Sequence, residues 1–176
     1  MGDFSHLDES GDAQMVDVGG KDVTQRRAVA RGYVYMSEST ARAVAEGDVS
    51  KGEVGQVGRL AGIMGAKKTS ELIPLCHPIG LEDVVVRLKP RPEEGAVEIV
   101  AEAAASAKTG VEMEALTAVS TAALTVYDMC KSADRGMHLG DIHLVDKRGG
   151  SSGHFRHPQP PGLEPAISTA DGETEE

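Results

Sequence analysis

The hairpin signal between residues 84 and 104 constrains this chain most. Val84-Val85-Val86-Arg87-Leu88 reads as a strand, Lys89-Pro90-Arg91-Pro92-Glu93-Glu94-Gly95 as a turn, and Ala96 to Ala104 as the returning strand. What flanks the hairpin narrows the fold class. Upstream, Arg27 to Met36 reads as a strand with Val34 and Met36 on one face and Tyr33 and Tyr35 on the other. Ser37-Glu38-Ser39-Thr40 offers N-caps for a short helix through Glu46. A second helix is predicted over Glu53 to Lys67, with Val57, Leu60, Ala61 and Met64 at helical spacing. Downstream, a long helix is predicted from about Met113 to Ser132, and a last strand from Leu139 to Lys147. The order strand, helices, strand, strand, helix, strand is the split βαβ, ferredoxin-like order. It predicts an α+β fold in which helices pack on one face of an antiparallel sheet. Along the long helix, Leu116, Val119, Ala123, Tyr127 and Cys130 fall in one stripe, the predicted core face. Aromatics make up only 3% of the chain and Trp is missing, so the core must be built from Val, Ile, Leu, Met and many Ala.

A chain of 176 residues is long enough for one domain with a real core. Residues 1–13 read as a solvated acidic tail, 14–155 as a single ferredoxin-like domain, and 156–176 as a disordered Pro/Gly-rich acidic tail. Residues 1–12 and 163–176 together hold nine acids and no Lys or Arg, and trimming them is expected to leave the melting unchanged. The net charge of -10 therefore belongs to the ends, since the remainder has 19 acids against 18 bases. A continuous basic stripe and the aromatics that stack on RNA are both missing, which argues against a nucleic-acid partner. Two cysteines, Cys76 and Cys130, cannot build a disulfide framework. No apolar run approaches the roughly 20 residues that span a membrane. The N-terminus lacks a basic region followed by an apolar one, so a cytoplasmic protein is expected.

Ionisable groups recur in short blocks beside apolar segments, where burial is expensive unless the groups are paired or used. The blocks are Lys67-Lys68, Leu75-Cys76-His77-Pro78, Glu112-Met113-Glu114, Asp128-Met129-Cys130-Lys131 and Asp146-Lys147-Arg148. They point to a pocket that holds a polyanionic small molecule and moves protons. Asp128 and Lys131 are three apart on the long helix and share one flank. They are either a surface ion pair or an acid–base pair. Glu112 and Glu114 either favour the positive end of the helix or hold the amino and ring N–H groups of a purine or pterin. Gly110 before them lets backbone approach a ligand. His77 is biased to an extended backbone by Pro78. A nucleophilic-cysteine enzyme built on Cys76 and His77 is a rival chemistry, but adjacent residues of an extended segment point to opposite sides. Gly65-Ala66-Lys67-Lys68-Thr69 lacks the spacing of a phosphate loop. Cys76, His77, Cys130, His138 and His143 lack the spacing of a zinc site, so no metal is assigned.

Five blocks, taken together, resemble the family of cyclic pyranopterin monophosphate synthases, the molybdenum cofactor biosynthesis protein C family. They are Met15-Val16-Asp17-Val18-Gly19-Gly20-Lys21-Asp22-Val23-Thr24-Gln25-Arg26, Leu72-Ile73-Pro74-Leu75-Cys76-His77-Pro78, Gly110-Val111-Glu112-Met113-Glu114-Ala115-Leu116, Tyr127-Asp128-Met129-Cys130-Lys131 and Val145-Asp146-Lys147. The likeness covers about residues 14–155. It implies a pyrophosphate-releasing phosphorus–oxygen lyase acting on (8S)-3′,8-cyclo-7,8-dihydroguanosine 5′-triphosphate. It also implies a homohexamer, a trimer of dimers with sites between subunits. By position, the catalytic residues would be Asp128, Lys131 and Lys51. Substrate would be bound by Asp17, Arg26, Leu75, Cys76, His77, Glu112, Met113, Glu114 and Lys147. A triphosphate needs cations, and Arg26, Lys51, His77, Lys131 and Lys147 supply them. No redox cofactor is required, because the reaction involves no redox change. Mg²⁺ can travel with the triphosphate. The alternative from another class is a non-catalytic nucleotide-binding or regulatory protein on the same fold.

Overall fold

A computed structural model describes residues 10–167 of the chain. Its strands are β1 (Thr24–Tyr35), β2 (Asp83–Arg91), β3 (Ala96–Ala107), β4 (His138–Arg148) and β5 (Phe155–Arg156). They form one sheet in the order β2-β3-β1-β4-β5, with every neighbouring pair antiparallel. Four helices complete the fold: α1 (Glu38–Glu46), α2 (Val54–Lys67), α3 (Thr69–Leu72) and α4 (Glu112–Cys130). This is the ferredoxin-like α+β arrangement expected from the sequence, with β5 added at one edge.

The hairpin forms between β2 and β3. β2 runs through Pro90 to Arg91, beyond the expected end at Leu88. Pro90 is tolerated because β2 is an edge strand and no neighbour needs its missing N–H. A short 3₁₀ turn, Pro92–Glu94, then leads into Gly95, whose φ is 57°. A Cβ at Gly95 would stand 2.6 Å from the Met36 carbonyl oxygen, so only glycine fits.

The helices bury different faces from those the large apolar residues suggested. On α2, Val57, Leu60 and Met64 point outward, Leu60 with 60% of its surface exposed. Val54, Gly58, Gly62, Gly65 and Ala66 face inward instead. On α4, Val119, Ala123 and Cys130 of the expected stripe are buried, but Leu116 and Tyr127 lie only at its margin. The centre of the buried face is Ala115, Ala118, Ala122 and Val126. The reason is proximity. A Cβ on Gly62 would stand 3.0 Å from the Ala118 carbonyl oxygen and 3.1 Å from a Val86 methyl. One on Gly65 would come within 2.8 Å of Thr121 Cβ. Two helices approach this closely only where both present small residues, and large residues must then turn away.

The second face of the sheet buries charge. Arg31 and Glu98 are both buried, with Arg31 Nε 3.4 Å from Glu98 Oε1. Leu163–Ile167, part of the expected C-terminal tail, lies over them. Glu98 Oε2 accepts the backbone N–H of Ala166 at 2.8 Å and of Ile167 at 3.1 Å. Tyr33 donates its hydroxyl to the Leu163 carbonyl at 2.8 Å, and Ile167 packs on Val29, Val100 and Val145. Composition alone misses this, because the attraction comes from partners on the sheet. Residues 1–9 and 168–176, which hold most of the tail acids, lie outside the described residues.

Two stability measurements test this account. Gly62→Val should lower unfolding free energy by about 1–3 kcal/mol through overpacking. Gly55→Ala, where nothing stands within 4 Å of the new Cβ, should be neutral or stabilising. Denaturant titration of both variants checks the pair. Separately, deleting 163–176 should destabilise by roughly 1–3 kcal/mol, because the buried Glu98 carboxylate loses two donors. An unchanged melting curve would contradict the contact with the sheet.

Candidate active site

Three segments converge at the N-terminal end of α4. α3 ends at Leu72, and a turn closed by the Cys76 N–H on the Ile73 carbonyl, 3.1 Å, delivers Leu75, Cys76 and His77. The start of α4 contributes Gly110, Glu112, Met113 and Glu114. The loop before β1 contributes Val16, Val18 and Lys21. Together they border a cavity of about 380 Å³. Six expected substrate-binding residues, Leu75, Cys76, His77, Glu112, Met113 and Glu114, thus meet in one place. Cys76 and His77 both border it, against the expectation that they face opposite sides, because the turn ending at Cys76 breaks the alternation of an extended chain.

The cavity separates its two carboxylates electrostatically. Glu112 is bound by Lys147 Nζ at 2.9 Å, and the same ammonium donates to Ser152 Oγ at 3.0 Å. Glu114 is only 3% exposed, and its Oε2 has no hydrogen-bond partner. Burial pushes the Glu114 carboxyl above the usual range, and the charge of Glu112 adds to the rise. The Glu114 carboxyl is thus buried in the cavity wall with an oxygen that no protein group satisfies. Burial and the nearby Glu114 also push the Cys76 thiol up. A protonated thiol is a poor nucleophile, so the rival cysteine chemistry loses its main requirement.

Two expected ligand contacts are engaged elsewhere. Asp17 Oδ1 accepts the Gly19 N–H at 2.7 Å. Arg26 donates Nε to the Ala107 carbonyl and Nη2 to the Lys108 carbonyl, each at 3.2 Å. Lys21 borders the cavity but was not singled out from the sequence. The Gly19-Gly20 pair just before it, a turn signal that swings the chain round, is what could have pointed to it.

The expected catalytic trio sits at the other end of α4. Asp128 Oδ1 lies 2.6 Å from Lys131 Nζ, and Asp128 Oδ2 lies 3.3 Å from Lys51 Nζ. Lys51 also donates to the Asp128 carbonyl at 2.6 Å. The hydrogen bond from Lys131, then that from Lys51, holds the Asp128 carboxyl below its usual range, and Asp128 in turn raises the Lys131 ammonium. The trio thus places a carboxylate, stabilised in its charged form, against the Nζ atoms of Lys51 and Lys131. At 1.5 Å per residue, Glu112 and Asp128 stand about 24 Å apart along the helix. Within one chain the trio and the cavity do not meet. Among the described residues, no group of His, Cys, Asp or Glu is placed to hold a metal ion, and no helix is long and apolar enough to cross a membrane.

Comparison with known proteins agrees with the sequence resemblance. Residues 15–150 match the MoaC family. Cyclic pyranopterin monophosphate synthase of Desulforapulum autotrophicum is 55% identical over 155 residues, which cover 88% of this chain and 95% of that protein. The enzyme of the same name from Pelotomaculum thermopropionicum is 56% identical over 155 residues, 88% of this chain and 91% of its own. That of Rhodospirillum rubrum is 56% identical over 150 residues, 85% of this chain and 90% of its own.

Glu114 gives a pH test with a definite sign. A carboxyl raised in the folded state favours folding below its unfolded value, and that contribution is lost as pH rises through the raised one. Glu114→Gln removes the penalty. The variant should melt above the wild type at neutral and alkaline pH, and the gap should close in acid. A gap that is constant with pH would mean that Glu114 is not held in a desolvated site.

Proposed function

The chain belongs to the MoaC family, and we propose that it catalyses the formation of cyclic pyranopterin monophosphate, a step of molybdenum cofactor biosynthesis. The substrate is the 3′,8-cyclised dihydro-GTP triphosphate, and pyrophosphate leaves with the product. Two tasks have to be done. The purine-derived rings must be rebuilt into a pterin, which needs several proton transfers. A ribose hydroxyl must then attack the first phosphorus while pyrophosphate departs, a step governed by positioning and charge neutralisation.

The observation that carries the enzymatic reading is Asp128 held between two lysines, 2.6 Å from Lys131 and 3.3 Å from Lys51. Exposed ion pairs contribute little to stability, so beyond the bond from Lys51 to the Asp128 carbonyl at the helix end, folding gains little from this three-charge cluster. A non-catalytic nucleotide binder uses lysines against phosphate but gains nothing from a carboxylate held between them. In our reading Asp128 takes protons as the carboxylate, while Lys131 and Lys51 give them and neutralise charge. Glu112, Met113 and Glu114 hold the heterocycle, with Leu75, Cys76 and His77 completing the wall. Arg26 and Lys147, both already bonded within the chain, lend positive charge to the phosphate side rather than a direct contact. The reaction has no net oxidation, so no redox cofactor is invoked, and any Mg²⁺ enters with the triphosphate.

The separation of about 24 Å along α4 supports sites shared between subunits. So does exposed apolar surface on the outer side of the helix layer, Val57, Leu60 and Met64 on α2 with Leu124 on α4. Exposed apolar patches of this kind mark interfaces. A homohexamer of cytoplasmic type, a trimer of dimers, is the assembly we favour.

Complementation between dead variants tests the proposal. His77→Ala and Asp128→Asn should each lower turnover, Asp128→Asn by roughly 10²–10⁴-fold. Co-refolded together, they should regain activity, because random two-fold pairing leaves about a quarter of the sites intact. Lys51→Ala with Asp128→Asn should show no rescue, since both lesions fall in one cluster of one chain. No rescue from the first pair, in samples where mixed assemblies are demonstrated, would rule out shared sites.

A further inference from the structure

Four cations, Lys21, Arg26, Lys108 and Lys147, lie around the N-terminal end of α4, and among the described residues three of the four side chains are already bonded, Lys108 to the Gly19 carbonyl. Lys147 is held by Glu112 and Ser152. Arg26 is turned onto the carbonyls of Ala107 and Lys108. Lys21 borders the cavity, and its ammonium has no hydrogen-bond or ion-pair partner among the described residues. An ammonium carries three donors, so Lys21 presents a full set of them to whatever enters. The same cavity is also lined by Glu114, buried and with its Oε2 unpartnered. A ligand that satisfies both ends needs an N–H or O–H for Glu114 and an anion for Lys21.

The turn that carries Lys21 is pinned at several points. Asp17 Oδ1 accepts the Gly19 N–H at 2.7 Å, Lys108 Nζ donates to the Gly19 carbonyl at 2.6 Å, and the Lys21 N–H donates to the Val18 carbonyl at 3.1 Å. Val16 and Val18 border the cavity, while Asp17 between them does not. A side-chain carboxylate that accepts a backbone N–H two residues on fixes a turn locally. We infer that Lys21 is the cavity's contact for the phosphate oxygens of the ligand, and that Asp17 positions Lys21 rather than touching the ligand.

This rests on reading the cavity as the substrate site, and the experiment separates the two. Inorganic pyrophosphate is the probe, titrated calorimetrically into the full-length protein and into Lys21→Ala, Lys21→Arg and Asp17→Ala. Steady-state kinetics and melting curves are recorded alongside. Lys21→Ala should weaken pyrophosphate binding by about tenfold to a hundredfold, as a charge-assisted hydrogen bond does. It should raise KM by a similar factor while kcat changes by less than about threefold. Lys21→Arg should recover most of the binding, and the salt dependence of binding should be shallower in Lys21→Ala. Asp17→Ala, which removes the acceptor for the Gly19 N–H, should weaken binding less than Lys21→Ala does. Wild-type affinity in a well-folded Lys21→Ala overturns the inference, as does a wild type that fails to bind pyrophosphate. A fall in kcat at unchanged KM overturns it too, because Lys21 would then act in the chemistry. An Asp17→Ala effect equal to or larger than that of Lys21→Ala, or no effect at all, overturns the positioning role. A wild type without turnover that still shows Lys21-dependent binding would remove the proposed function and leave this inference standing.

Discussion

Everything in this fold depends on how closely α4 can be seated. The core has almost no aromatic material, so it cannot be filled by a few large rings. It is filled by bringing backbones together. α4 lies against α2 through Gly58, Gly62 and Gly65, and against β1 at Gly32, where a Cβ would stand 2.8 Å from a Val119 methyl. Ala115, Ala118, Ala122 and Ala123 complete the contact from its own side. Dense packing of small residues recovers dispersion contacts that large side chains would otherwise supply.

A helix fixed this firmly acts as a ruler for the chemistry. Its N-terminal end carries Glu112 and Glu114, where the helix dipole favours negative charge, and its C-terminal end carries Asp128 with Lys51 and Lys131 around it. Lys51 also bonds the Asp128 carbonyl, one of the groups that a helix end leaves open. The loop that brings Lys51 runs from Gly47 to Gly52, with φ values of 75° and 98°, so the chain reverses sharply at both ends to reach α4. The two chemical clusters are therefore set by one rigid element, and their spacing follows from its length.

How much of this was legible in the sequence depends on what the signal measured. Element order was readable because periodicity is local: the hairpin at 84–104 and the helix after Gly110 announce themselves. The pairing of Asp128 with Lys131 was readable from three-residue spacing alone. Which face of α2 and α4 is buried was not, since hydrophobic patterning follows large residues, and here the buried contact belongs to glycine and alanine. Lys51 was placed in the site by resemblance, because nothing local links it to a residue 77 positions away. Asp17 and Lys21 exchanged prominence for a similar reason. A carboxylate in a motif looks like a ligand contact, and only the geometry shows it turned onto the Gly19 N–H. The cover over Glu98 was hidden by composition, since Pro, Gly and acids read as solvated chain wherever their backbone partners lie.

The same constraint reaches from packing to assembly. A helix that gives its small residues to α4 has no second small face to offer. With 3.6 residues per turn, Val57, Leu60 and Met64 are forced onto the opposite side of α2 from Gly58, Gly62 and Gly65. Burying the glycines is what exposes the large residues. An exposed apolar stripe is an aggregation hazard unless something covers it, and a second copy of the chain is the cover our proposal supplies. On that reading, close seating of α4 does two things at once. It holds the cavity and the trio too far apart for one chain to use both, and it creates the surface through which another chain can bring the missing half.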